Sequence, residues 1–330
     1  MRGPPNFETI RGLTNWRLTI RRGDSGISIL RALTCDREAI LPDELFGQPV
    51  TELKDHALAA GAAPVEGEEV HILGGAETDD WDNRNITELS LPRPVQQIGS
   101  YAFMNLQSME TLRFYDDLRS TGSASFMNCR SFSRLELRRT GRRQGPALAL
   151  IVRSIQQELE VTVYETDGNV LRLIFPEYLE SYTENNAAHH FELRILGGGY
   201  PYHAVFRDRT LLLADYDALW PAYLAQEHDE ESALRLAYSR FRYPGGLSER
   251  AGKRYADYLR ANMDRALSAA LREKDMQGLR LLLELGDPAA ETLDGALAES
   301  RRLQMTEATA ILLEKRHVRP VAGRMRSFDL

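Results

Sequence analysis

One stretch of this chain copies itself. Glu88-Leu89-Ser90-Leu91 returns as Thr111-Leu112-Arg113-Phe114 and again as Arg134-Leu135-Glu136-Leu137, each step being 23 residues. Other columns keep the same step: Gly99 falls on Gly122, Phe103 on Phe126, Met104 on Met127, Asn105 on Asn128 and Leu106 on Cys129. A fixed period of this length means units that cannot bury their apolar faces alone and therefore stack on a shared core. Within each short strand the alternate residues, Leu89 and Leu91, Leu112 and Phe114, Leu135 and Leu137, point into the stack. Phe103 and Phe126 are expected to close the opposite wall, and Gly99 and Gly122 to sit where the chain turns tightly. A degenerate copy begins at Ile40-Leu41-Pro42, and its tail, residues 53–58, matches residues 98–103. Residues 61–84 lie between the copies and hold a strand, Val70-His71-Ile72-Leu73, followed by an acidic loop.

These residues resemble the BspA-like (Treponema-type) leucine-rich-repeat family of bacteria over residues 16–140. The likeness is carried by Leu41-Pro42, Pro49-Val50-Thr51-Glu52-Leu53, Leu91-Pro92, Ile98-Gly99, Tyr101-Ala102-Phe103 and Asn128-Cys129-Arg130-Ser131-Phe132. Thr121 stands where the family has an aliphatic residue, and Ser125 where it has alanine. The resemblance implies a binding role and carries no catalytic residue across.

Beyond the repeats, Pro146 opens a helix whose Leu148, Ile151, Val152, Ile155 and Leu159 share one face. Residues 161–164 and 170–175, joined through Asp167-Gly168, read as a hairpin that helps seal the open end of the stack. From Leu211 onward the pattern is helical, with Ala233-Leu234, Ala266-Leu267 and Ala296-Leu297 recurring. Leu281-Leu282-Leu283-Glu284 and Ile311-Leu312-Leu313-Glu314 lie 30 residues apart, and residues 266–286 look like a degenerate ankyrin-type helix pair without its Thr-Pro-Leu-His signature. The expected fold is α+β. A short leucine-rich-repeat solenoid with an N-terminal cap spans 1–145, a mixed α/β capping segment 146–210, and a C-terminal helical-repeat domain 211–330.

Composition narrows the function classes. The longest apolar run, residues 147–152, ends at Arg153 and is far below the roughly 20 residues of a membrane span. Residues 1–22 lack the pattern of a secretory signal, which points to the cytoplasm; a signal removed from the chain would point to the cell surface. Cys35 and Cys129 form no zinc-ligand spacing and no disulfide framework, and they are not expected to bond each other. A net charge of -7 argues against general affinity for nucleic acid. Seven arginines between Arg130 and Arg153, against the one acidic Glu136, are the exception, and after Phe132 no aromatic residue is interleaved with them for base stacking.

His189, His190 and His203, with Glu184 or Glu192 nearby, are the best metal candidates, yet adjacent residues on a strand point to opposite faces. Gly197-Gly198-Gly199 precedes no phosphate-binding helix with a Lys-Ser or Lys-Thr pair, and Asp79-Asp80-Trp81-Asp82-Asn83 lacks the glycine and distal glutamate of a calcium loop.

The chain is therefore expected to be a non-catalytic protein-interaction scaffold without a cofactor, binding a protein partner and neither nucleic acid nor membrane. Its partner surface is expected to be the outward strand grid, the helical domain, or both. In the grid Ser90, Arg113 and Glu136 form one column, Glu88, Thr111 and Arg134 a second, and Tyr115 lies beside Arg138. Arg113 and Glu136, adjacent and opposite in charge, partly satisfy each other. A metal-dependent enzyme centred on His189, His190 and His203, and an adhesin at the cell surface, are the competing readings. The repeat itself makes the first prediction. Leu112→Ala leaves a hole in the shared core, and chemical denaturation should show a loss of about 2–5 kcal/mol.

Overall fold

The computed structural model describes the backbone of residues 8–75, 80–141, 146–185 and 190–318, and side chains within 11–75, 80–141, 146–181 and 193–317. The chain forms two compact units, Met1–His228 and Asp229–Leu330.

The first unit is a stack of coils with a sheet on each side. One sheet runs in the order β14 (Val170–Phe175), β13 (Leu159–Tyr164), β12 (Arg134–Arg138), β10 (Thr111–Tyr115), β8 (Glu88–Ser90) and β4 (Glu38–Ile40). Its repeat strands are parallel and in the register that the 23-residue step demands: Leu112 lies between Leu89 and Leu135, and Arg113 between Ser90 and Glu136. The facing sheet runs β1 (Glu8–Arg11), β7 (Glu68–Leu73), β2 (Trp16–Gly23), β3 (Gly26–Leu33), β6 (Gln48–Leu53), β9 (Gln97–Ile98) and β11 (Ser120–Thr121), with β5 (Glu44–Leu45) paired to β6. Leu89, Leu91, Leu112, Phe114, Leu135 and Leu137 are buried between the sheets together with Phe103 and Phe126, whose ring centroids are 5.1 Å apart.

The turns between strands also stack. Tyr101, Phe103 and Asn105 donate their amides to the carbonyls of Ser123, Ser125 and Met127, and His56 and Leu58 do the same to Ser100 and Ala102. Tyr101 and Ala124, and likewise Asn105 and Asn128, adopt left-handed backbone at the 23-residue step. Asparagine tolerates that conformation, and Asn128 Nδ2 donates to Asn105 Oδ1 at 2.7 Å, joining adjacent coils. The repeat glycines do something other than turn tightly. Neither has a positive φ. A Cβ on Gly122 would lie 2.2 Å from the Ser100 nitrogen, and one on Gly99 2.4 Å from the Asp55 nitrogen, so these positions admit the backbone of the preceding coil.

Residues 61–84, an insertion in the repeat, join the facing sheet through β7, and Asn83 ties their far end to the stack. Asn83, 1% exposed, donates to the carbonyls of Ala32 and Leu58 at 2.8 and 2.9 Å and accepts from the Thr34 amide at 3.0 Å. Helix α1 (Ala147–Val152) is shorter than its apolar face implies. The Ser154 hydroxyl takes the Ile151 carbonyl at 2.7 Å and the chain leaves the helix, while Leu159 enters β13 beside β12. The expected hairpin is β13 and β14, and its first strand extends the repeat sheet in parallel. A second hairpin, β15 (Leu179–Asn185) and β16 (His190–Leu196), precedes α2 (Tyr200–Ala204) and the small pair β17 (Phe206–Arg207) and β18 (Thr210–Leu211). Helices α3 (Leu213–Ala218) and α4 (Trp220–Leu224), expected with the helical domain, belong to the first unit. The buried Tyr216 hydroxyl bonds the Ile174 carbonyl there at 2.5 Å.

The second unit holds three helix pairs: α5 (Glu230–Arg242) with α6 (Glu249–Ala261), α7 (Met263–Arg272) with α8 (Met276–Leu285), and α9 (Ala290–Arg302) with α10 (Thr306–Val318). Lys274 and Gln304, 30 residues apart, both adopt φ 55 between the paired helices. Asp275 and Met305 donate to Ala270 and Ser300, each at 2.9 Å, so the two turns are built alike. Asp275 also caps α8 by accepting from the Gly278 amide, and it receives the Tyr238 hydroxyl and the Arg242 guanidinium, each at 2.8 Å.

Coil spacing in the first unit gives a direct test. Gly122→Ala forces backbone against backbone and should cost about 1–3 kcal/mol in urea unfolding, whereas Ser123→Ala, at an exposed neighbour, should be near neutral.

Candidate functional site

The outward face of the repeat sheet brings the eight grid residues together in the expected columns. Three of them, Glu88, Arg113 and Glu136, pair with one another. Arg113 Nη2 reaches Glu88 Oε2 at 2.6 Å, and its Nε reaches Glu136 Oε2 at 3.0 Å. Burial pulls the Arg113 guanidinium down, and the hydrogen bonds it donates to Glu88 and Glu136 more than reverse it, so its pKa is raised. Arg134 donates to the buried Thr111 hydroxyl at 3.0 Å and pairs with Glu110 at 2.6 Å. Such half-exposed pairs contribute about 0–1 kcal/mol each, but they leave little net charge for a partner.

The last row of the grid differs. Tyr115, Arg138 and Tyr164 stand side by side on β10, β12 and β13, and the Arg138 guanidinium lies over the Tyr164 ring at 5.2 Å. Tyr164 escaped the sequence reading because the step from Arg138 is 26 residues, off the repeat period. Arg138 and Tyr115 also line a cleft of about 420 Å³ that opens at the C-terminal ends of β8, β10 and β12. Its apolar wall includes Leu13, 78% exposed, and Ile40, 39% exposed. The loop bearing Leu13 is held over β4 by the Trp16 indole, which donates to the Ile40 carbonyl at 2.9 Å, and by the Thr14 hydroxyl, which donates to the same carbonyl at 2.8 Å.

The other candidates fare differently. His203 is 2% exposed, and its Nδ1 and Nε2 lie 3.1 and 3.0 Å from the carbonyls of Val152 and Pro176, so both ring nitrogens face backbone and neither is open to a metal. His189 lies outside the described residues, and His190 is described only as backbone in β16. Among the described residues no three His, Cys, Asp or Glu side chains gather as a metal would require. A Cβ on Gly199 would meet the Pro176 carbonyl oxygen at 2.0 Å, so that glycine admits backbone of the same unit. In the acidic loop Asp79 lies outside the described residues; Asp82 pairs with Arg84 at 2.6 Å, and Trp81 packs under Arg17 with 4.0 Å between guanidinium and ring. Cys35 and Cys129 are both free thiols. Burial pushes the Cys129 thiol up to about 12, and its hydrogen is directed at the Phe103 carbonyl, which suits packing and not nucleophilic chemistry. Of the basic stretch, Arg142 and Arg143 lie outside the described residues, and Arg139 pairs with Glu165 at 3.7 Å. Among the described residues no helix is long and apolar enough to cross a membrane.

Stacked parallel strands, aligned turns and a shared apolar core at a fixed sequence step define a leucine-rich-repeat solenoid. Residues 78–146 match the family model described as BspA type leucine rich repeat region (6 copies). Among solved structures, a leucine rich repeat protein of T. pallidum (TpLRR) is similar at 20% identity over 36% of this chain and 50% of that one, with a TM-score of 0.27. The chain thus spans about half the length of that relative. No curated protein matches the sequence.

His203 gives this subsection its prediction. Burial lowers its pKa from 6.5, against the opposing pull of the Val152 and Pro176 carbonyls, so the folded chain favours the neutral ring. On acidification the unfolded chain takes up the proton first, and the stability supplied by neutral His203 is lost as the pH falls below 6.5 through the folded value. Urea midpoints measured between about pH 5 and 7 should therefore fall more steeply for the native chain than for His203→Asn.

Proposed function

We propose that this chain is a non-catalytic scaffold that binds a protein partner through the outward face of its repeat sheet, at the rim where Tyr115 and Arg138 meet. One observation carries the reading. The centre of the grid is occupied by its own ion pairs, Glu88–Arg113–Glu136, while Arg138 has no carboxylate partner among the described residues and borders a cleft with an exposed apolar wall. Tyrosine and arginine are the side chains that most often anchor interfaces, because each offers a large flat surface with donors at its edge. The leucine-rich-repeat family of residues 78–146 supports an interaction or adhesion role of this kind.

The test is capture of partners from a lysate of the source cells, with the full chain as bait. Tyr115→Ala combined with Arg138→Ala should weaken retention of a specific partner by about tenfold or more, with a nearly unchanged thermal midpoint. Equal retention by the double variant moves the binding surface elsewhere, the helical unit first.

A further inference from the structure

We propose that the cleft at the C-terminal ends of β8, β10 and β12 receives an extended segment of a protein partner in which a glutamate or aspartate side chain adjoins an aliphatic one, Arg138 taking the carboxylate and Leu13 and Ile40 the aliphatic group. The inference rests on the strand face being the partner surface, and it adds the chemistry that this surface reads.

The charge in the cleft selects the ligand. Arg113 also lines it, but two carboxylates, Glu88 and Glu136, already hold that guanidinium. Among the described residues Arg138 makes no ion pair, and its guanidinium lies over the ring of Tyr164. Contact with a ring takes up none of the guanidinium's hydrogen bonds, and its coplanar N–H donors are the arrangement that grips a carboxylate with two parallel hydrogen bonds. The hydroxyls of Tyr115 and Tyr164, on the strands to either side, likewise have no partner among the described residues. Two phenols flanking one guanidinium, at the spacing of roughly 5 Å between neighbouring strands, form a short row of donors beside an apolar wall. Asp43 is the acidic residue in the lining, and it already accepts the Arg93 amide at 2.8 Å.

The backbone at this rim argues for a side-chain carboxylate over a chain terminus. Terminal carboxylates are captured by clusters of free backbone amides. Here the amides of Leu41, Leu91 and Arg139 are already given to the carbonyls of Ser90, Arg113 and Tyr164 at 3.0, 2.8 and 3.0 Å. On the sheet side of the cleft, the donors of Arg138 and Tyr115 belong to side chains, across which an internal segment of a partner can pass.

The test uses fluorescein-labelled, terminally blocked hexapeptides and the full chain, read by fluorescence anisotropy. A peptide alternating leucine and glutamate should bind, and its leucine–glutamine counterpart should bind about tenfold or more weakly. Arg138→Gln should remove that preference, whereas Arg119→Gln, at an exposed arginine outside both the grid and the cleft, should keep it, both with unchanged melting. Leu13→Ser should weaken both peptides alike. Equal binding of the two peptides, no binding of either at millimolar concentration, or a preference that survives Arg138→Gln would overturn the carboxylate assignment. If that assignment fails while the double variant Tyr115→Ala with Arg138→Ala still loses its partner from lysate, the strand face stands and only its ligand chemistry is wrong. If the peptides discriminate as expected while lysate retention is unchanged, the cleft stands and the wider partner surface falls.

Discussion

The first unit depends on how closely one coil can lie on the next. The amide-to-carbonyl bonds from residues 101, 103 and 105 to residues 123, 125 and 127 fix the spacing on the turn side, and the parallel strand pairs fix it on the other. At that spacing there is no room for a side chain on Gly99 or Gly122, whose would-be Cβ atoms meet backbone of the previous coil. Everything else in the repeat follows from keeping this distance constant. Leu89, Leu112 and Leu135 meet in one core, and left-handed turns fall at Tyr101 and Ala124 and again at Asn105 and Asn128. Asparagine serves the second pair twice over, tolerating the turn and bonding its counterpart in the next coil.

Constant spacing also decides what the surface can do. Strands held in register bring like positions within about 5 Å, so a column either pairs its charges or suffers their repulsion. Arg113 pairs with Glu136 of its own column and with Glu88 of the next, and Arg134 finds Thr111 and Glu110. Such a surface is hydrated and nearly neutral, and a partner gains little by displacing its internal contacts. On the proposed reading, recognition concentrates where the pairing stops. At the Tyr115–Arg138–Tyr164 row the cation lies over the Tyr164 ring, which attracts it without satisfying its N–H donors.

The stack was legible in the sequence because a single period governs both core and turns, and Leu89, Leu112 and Leu135 needed only that period to be placed. The grid columns came with it. What lay outside the period was not legible. Tyr164 continues the same row at a step of 26 residues, because α1 and its turn come between, so its place beside Arg138 shows only once β13 is paired to β12. Asn83 reads as part of an acidic loop, yet it is a buried tie whose three partners, Ala32, Thr34 and Leu58, are up to 51 positions away. The glycines were placed correctly and given the wrong reason, since sequence cannot separate a turn from a close approach of two backbones. In the helical unit the 30-residue step marked the pairs α7 with α8 and α9 with α10, while the start of that unit was set too early. Tyr216 looks helical and amphipathic, but its hydroxyl closes a bond to Ile174 that ties it to the first unit.

A solenoid must also cover the apolar ends of its stack, and the cover at the N-terminal end is what turns a flat grid into a cleft. Strands β2 and β3 extend the facing sheet past β6, which protects the first coil on the turn side. On the grid side β4 is an edge strand of three residues, too short to shield itself. The chain between β1 and β2 meets that need by folding over the edge, with Trp16 and Thr14 both bonded to the Ile40 carbonyl. Trp16 is buried by this arrangement, but Leu13 is lifted out into solvent opposite the Arg138 row. An exposed leucine at the tip of a pinned loop contributes nothing to the core that the pinning protects. Its position makes sense as one wall of a groove whose floor is the sheet, so the element that caps the stack also shapes the surface that a partner would meet.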